Sequence, residues 1–218
     1  MSLRPKVKIC CIASLEEAEL ALFHGASALG LVSAMPSGPG VITETLIATI
    51  AASVPESAET FLLTSLQTAA ALIEQHRRCA TTTLQLVDHV PREELRILRG
   101  ALPTVRLVQV IHVRNEDSLQ EAIEVSPFVD ALLLDSGNPA LQVKELGGTG
   151  RTHDWGISRR IREEIPIPLW LAGGIHPGNV AEAVEAVAPY GLDVCSGLRT
   201  DGKLDPAKLG AFFKALPE

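Results

Sequence analysis

The chain has 218 residues and carries 19 Lys and Arg against 26 Asp and Glu, a formal net charge of −7. A general nucleic-acid binder is disfavoured, because such a protein needs a basic surface to displace counterions. Hydrophobic residues make up 46% and charged residues 21%, an ordinary globular balance, and aromatics at 4% leave the core to aliphatic side chains.

The opening Met1-Ser2-Leu3-Arg4-Pro5-Lys6 shows no secretory signal, so a cytoplasmic location is expected. The first β-rich run is 7–11, followed by a helix with Ser14 as N-cap. In that helix Leu15, Ala18, Leu22 and Phe23 make the apolar face, with Glu16, Glu17 and Glu19 mostly on the other. The uncharged stretch 20–43 is broken by His24, Gly25, Gly30, Pro36, Gly38, Pro39 and Gly40, so no membrane span is expected. Further strand-like runs fall at 28–32, 60–64, 83–87, 105–110, 131–135, 168–172 and 192–196, separated by amphipathic segments. The last helix runs over 206–216, with Asp205 as cap and Pro206 in its first turn. Cys10, Cys11, Cys79 and Cys195 form no CxxC and no zinc-ligand spacing, so reduced thiols and no metal are expected.

Unbroken βα alternation implies a parallel sheet, and eight repeats favour an α/β closed (β/α)8 TIM barrel, expected as a single domain over 1–218. An open doubly wound sheet would carry an early glycine fingerprint, which is missing. The segment 147–152 has neither the spacing nor the strand-to-helix position of a nucleotide loop. In a barrel the chemistry sits at the C-terminal strand ends. Alternation puts Lys8 and Cys10 on the inward face, and Val7, Ile9 and Cys11 outward toward the helices. Asp135 shares the inward face with Ala131 and Leu133. A thiol and a carboxyl facing each other across a cavity suit proton transfer, although buried cysteines often serve only as small core side chains. Gly173-Gly174 and Ser196-Gly197 follow the seventh and eighth strands, where barrels often hold phosphate. Lys8 is either a Schiff-base lysine or the neutraliser of an interior acid, Asp135 or Asp193. Asp88, His89 and His112 match no firm ligand motif.

The motifs Val7-Lys8-Ile9-Cys10 and Gly25-Ala26-Ser27-Ala28-Leu29-Gly30 resemble segments of the phosphoribosylanthranilate isomerases of tryptophan biosynthesis. So do Leu133-Leu134-Asp135, the run 147–155, the run 171–180 and Asp193-Val194-Cys195-Ser196-Gly197, so the resemblance spans nearly the whole chain. It implies an Amadori rearrangement of an aminoaldose phosphate, without metal or organic cofactor. Cys10 would be the general base and Asp135 the general acid, with substrate and phosphate bound near Gly148, Gly150, Gly173, Gly174, Ser196 and Gly197. The implied partner is a small phosphorylated sugar, with no nucleic acid and no membrane, in a monomer or homodimer. A related barrel acting on, or only binding, another phosphosugar is the alternative.

Four departures from the family's pattern stand out. Pro39 stands where the family has an arginine for the anthranilate carboxylate, a loss worth about 2 to 5 kcal/mol unless another cation, such as Arg151 or Arg199, takes over. Cys11 replaces a glycine and by parity should point away from the cavity. Val87-Asp88 replaces a His-Gly pair, and Arg199 a glutamate.

Overall fold

A computed structural model describes residues 4–137, 150 and 152–217. Eight parallel strands close into a barrel in sequential order, β1 pairing with both β2 and β8. They are β1 (Lys6–Ile9), β2 (Ala28–Val32), β3 (Glu59–Thr64), β4 (Thr83–Leu86), β5 (Arg106–His112), β6 (Ala131–Asp135), β7 (Leu169–Leu171) and β8 (Gly191–Val194). The helices between and after them are α1 (Leu15–Phe23), α2 (Glu44–Ser53), α3 (Ala69–Cys79), α4 (Arg92–Ala101), α5 (Asp117–Val125), α6 (Trp155–Glu164), α7 (Val180–Val187) and α8 (Pro206–Ala215). Beyond β8 lie a turn of 3-10 helix, Ser196–Leu198, and a two-stranded ribbon, β9 (Arg199–Thr200) with β10 (Lys203–Leu204). No helix among the described residues is long and apolar enough to cross a membrane.

Helix starts follow local hydrogen-bond chemistry. Ser14 Oγ accepts from Glu17 N–H, Asp154 accepts from Gly156 and Ile157, and Asp205 from Ala207 and Lys208, each satisfying donors the first turn leaves orphaned. Two of the expected apolar contacts of α1 are corrected: Phe23 is 85% exposed and Leu15 also faces solvent, while Ala18 and Ala21 are buried. A face of two alanines lets α1 lie close to the sheet, and the larger residues flank that contact. Glu17 likewise leaves the solvated face to bind Arg199.

Strand alternation divides the core in two. Outward residues such as Val7, Ile9, Leu29, Leu31, Leu62 and Leu84 pack under the helices, and inward ones such as Ala28, Val32, Phe61, Val108, Ala131, Leu133 and Trp170 fill the barrel. Low in the interior, Phe61 and Trp170 meet edge to face at 5.5 Å. Gly191 faces the Trp170 ring so closely that a β-carbon there would overlap it. The rings close the barrel below, and the space above them remains for chemistry.

Candidate active site

The cavity opens at the C-terminal ends of the strands. Cys10, just past β1, and Asp135, at the end of β6, line it together with Gln85, Asp193, Gly173 and Gly174. Gly150 and Ser196 join them, so most of the residues singled out in the sequence meet in one place. Gly197 lies just behind, and a β-carbon on it would strike the Ile175 carbonyl, so the β8 turn approaches the β7 turn only as glycine. Gly148 lies outside the described residues, as does Arg151.

Lys8 resolves the choice posed by its position on an inward face. Its side chain is fully buried, and Nζ stands 2.8 Å from Asp193 Oδ1 and 3.5 Å from Cys10 Sγ. Burial opposes the ammonium, but the Asp193 and Cys10 side chains outweigh it and raise the Lys8 pKa. A lysine held charged is a poor Schiff-base nucleophile, so Lys8 is an interior counter-ion with Asp193 as its partner. The register explains the pairing, since Lys8 and Asp193 sit opposite each other across β1 and β8. Gly30 makes the room: a β-carbon there would fall 2.8 Å from Cys10 Sγ and 3.0 Å from Lys8 Nζ.

Asp135 ends β6 nearly buried, with Oδ1 accepting from Ser136 N–H at 2.7 Å. Burial pushes its carboxyl above the usual range, and the Asp193 charge adds to this against the opposing effects of Ser136, His112 and Lys8. The balance is thereby shifted toward the neutral, proton-donating form. His112, next to it across the β5–β6 pair, places Nε2 3.0 Å from the Val87 carbonyl.

Cys11 corrects the parity expectation. The strand ends at Ile9, and Cys11 adopts φ +62°, a left-handed conformation that breaks alternation and turns its side chain into the cavity. Its Sγ lies 2.9 Å from Cys195 Sγ and 3.6 Å from the Pro39 carbonyl. Cys195 lines the same wall. Neither sulfur was legible as a cavity group, because periodicity stops being informative once a strand has ended.

Pro39 also lines the cavity, with Val32, Met35 and Leu63 nearby, and no arginine or lysine stands among the described lining residues. Arg199 does not supply the cation. Its guanidinium binds Glu17 at 2.9 Å and donates to the carbonyls of Cys10, Cys11 and Gly202, tying the β1 loop to the β8 loop. Glu17 is turned inward by the same contact and also accepts from the Ala13 and Leu204 N–H groups.

A thiol, a carboxyl and glycine-built loops converge at the C-terminal mouth of a closed (β/α)8 barrel, the end where enzymes of this fold hold their substrates. The model of the family described as N-(5'phosphoribosyl)anthranilate (PRA) isomerase matches residues 7–215. The N-(5'-phosphoribosyl)anthranilate isomerase of Methanosarcina acetivorans is 32% identical over 97% of this chain and 93% of its own length. That of Haloarcula marismortui is 33% identical over 96% and 94%. The crystal structure of phosphoribosyl anthranilate isomerase from Thermotoga maritima superposes with a TM-score of 0.82 at 26% identity, covering 97% of this chain and 98% of that one. The chain belongs to the phosphoribosylanthranilate isomerase family.

Proposed function

We propose that the chain acts in tryptophan biosynthesis as an isomerase, converting N-(5'-phosphoribosyl)anthranilate to 1-(2-carboxyphenylamino)-1-deoxyribulose 5-phosphate. The observation that carries the mechanism is the convergence of Cys10, Asp135 and the β7 and β8 glycine loops on one cavity.

In this reading neutral Asp135 gives its proton to the ring oxygen as the bond from that oxygen to sugar C1 breaks. The nitrogen lone pair of the substrate forms a C=N bond at C1. The Cys10 thiolate then removes the C2 proton, and the C–H electron pair becomes the C1=C2 bond of an enolamine that tautomerises to the ketone. Lys8, 3.5 Å from the sulfur, places a positive charge beside the base. Gly173, Gly174, Ser196 and Gly197 hold the phosphate, with Gly150 completing the substrate contacts, and fix the sugar between base and acid. The scheme needs only the chain's own acid and base. We place the protein in the cytoplasm, one domain over 1–218, as a monomer or homodimer.

The test is consumption of N-(5'-phosphoribosyl)anthranilate by the purified protein, followed as loss of anthranilate fluorescence. Turnover above background, abolished in Asp135→Asn, is expected; a folded protein that leaves the substrate intact would overturn the assignment.

A further inference from the structure

Two cysteines that the isomerisation does not use stand in contact at the cavity wall. Cys11 and Cys195 are both reduced, 184 positions apart in sequence, and their sulfurs are 2.9 Å apart. The barrel brings them together, since Cys10 N–H donates to the Val194 carbonyl at 2.8 Å where β1 and β8 run out side by side. Cys11 holds its place through a backbone conformation that disfavours any side chain. We propose that Cys11 and Cys195 are a redox-sensitive dithiol that closes to an intramolecular disulfide by exchange with a low-molecular-weight disulfide.

The two sulfurs have unequal roles. Cys195 is the more exposed of the pair and lines the cavity mouth. Its hydrogen bond with Cys11 draws its pKa down despite burial, with help from the Arg199 charge. Cys11 is pushed the other way by its hydrogen bonds to Cys10 and Cys195 and by burial, so it remains the protonated partner. Cys195 as thiolate therefore attacks one sulfur of the small disulfide, forming a mixed disulfide and expelling one thiolate with the electron pair of the broken bond. Cys11 then loses its proton to solvent and attacks the Cys195 sulfur, forming the internal S–S bond and expelling the second thiolate. Two protein thiols are oxidised and one external disulfide is reduced to two thiols. Closure requires the sulfurs to approach from 2.9 Å to about 2.05 Å.

The experiment treats the reduced full chain with bis(hydroxyethyl) disulfide, blocks remaining thiols with iodoacetamide in denaturant, and maps the linkage by peptide mass spectrometry. The expected product has lost two hydrogens, carries no adduct, links Cys11 to Cys195, and leaves Cys10 and Cys79 alkylated. Cys10→Ala should still form the link, whereas Cys11→Gly and Cys195→Ser, checked for folding by circular dichroism, should not. A mixed disulfide that never closes, a link through Cys10, or four alkylated thiols would overturn the proposal. The effect on turnover rests on the isomerase reading and is measured separately. Displacement of the wall beside Cys10 should slow the oxidised protein about tenfold or more, reversibly with dithiothreitol. Equal rates would overturn the regulatory role and leave the linkage standing on its mass.

Discussion

The lower and upper halves of the barrel interior are built on the same strand alternation and end in opposite states. Below, Phe61 and Trp170 fill the space against a glycine and pack with Ala28, Val108, Ala131 and Leu133. Above, small and polar side chains leave a cavity lined by Cys10, Gln85, Asp135 and Asp193. Lys8 joins the halves, touching Phe61 on one side at 5.3 Å and Asp193 and Cys10 on the other. The difference shows where stability and chemistry are separable: the floor carries packing, and the mouth carries buried charge held in place by that packing.

The sharpest separation is expected from Asp135→Asn, which removes the proposed acid without changing shape. Turnover should fall by about 10² to 10⁴-fold while the melting temperature at neutral pH is kept or rises, as read by the fluorescence assay beside thermal unfolding. Equal loss of activity and fold would erase the distinction. At the joint, Lys8→Met leaves Asp193 buried without its partner and should destabilise the protein by about 3 to 5 kcal/mol in urea unfolding, with turnover lost as well. In the floor, Trp170→Ala opens a cavity beside Phe61 and should cost about 3 to 5 kcal/mol, while activity per folded molecule survives.

A subtler effect concerns pH. The folded Asp135 pKa lies above its ordinary value of 3.8, so its contribution to stability is fully present below that value and is lost as pH rises through the folded pKa. Asp135→Asn should therefore gain stability relative to the native chain on going from acid to neutral pH, measured by urea unfolding across that range. A constant difference would mean the carboxyl is not perturbed. The smallest change is expected at the apolar flank of the mouth. Pro39→Arg supplies a cation where none lines the described cavity, and it should lower the KM for N-(5'-phosphoribosyl)anthranilate by about tenfold, about 1.4 kcal/mol.

How legible these regions were in the sequence follows from what periodicity can carry. The eight strands were readable because each is a short apolar run with helix-period segments between, and all eight predicted runs overlap the strands observed. Inside a strand, period two also placed Lys8, Leu133 and Asp135 correctly toward the interior. Two residues past the end of β1 the rule failed, and Cys11 turned inward through a positive φ that its sequence neighbourhood does not announce. The Lys8 to Asp193 pair was readable only as one of two choices, because register between β1 and β8 is a property of the closed barrel. The engagement of Arg199 with Glu17 was likewise hidden, since 182 residues of chain separate them and neither lies in a motif that specifies the other. Phe23 was misassigned because helical spacing locates a stripe without fixing its edges.

The central claim is that the Cys10 thiol acts as the base within this cavity. Its most direct test is single-turnover consumption of N-(5'-phosphoribosyl)anthranilate by enzyme in excess, native chain against Cys10→Ala. A rate lower by about 10²-fold or more in the variant, with substrate still bound, is the result predicted. Equal rates in the two proteins would contradict it and assign the C2 proton to another group.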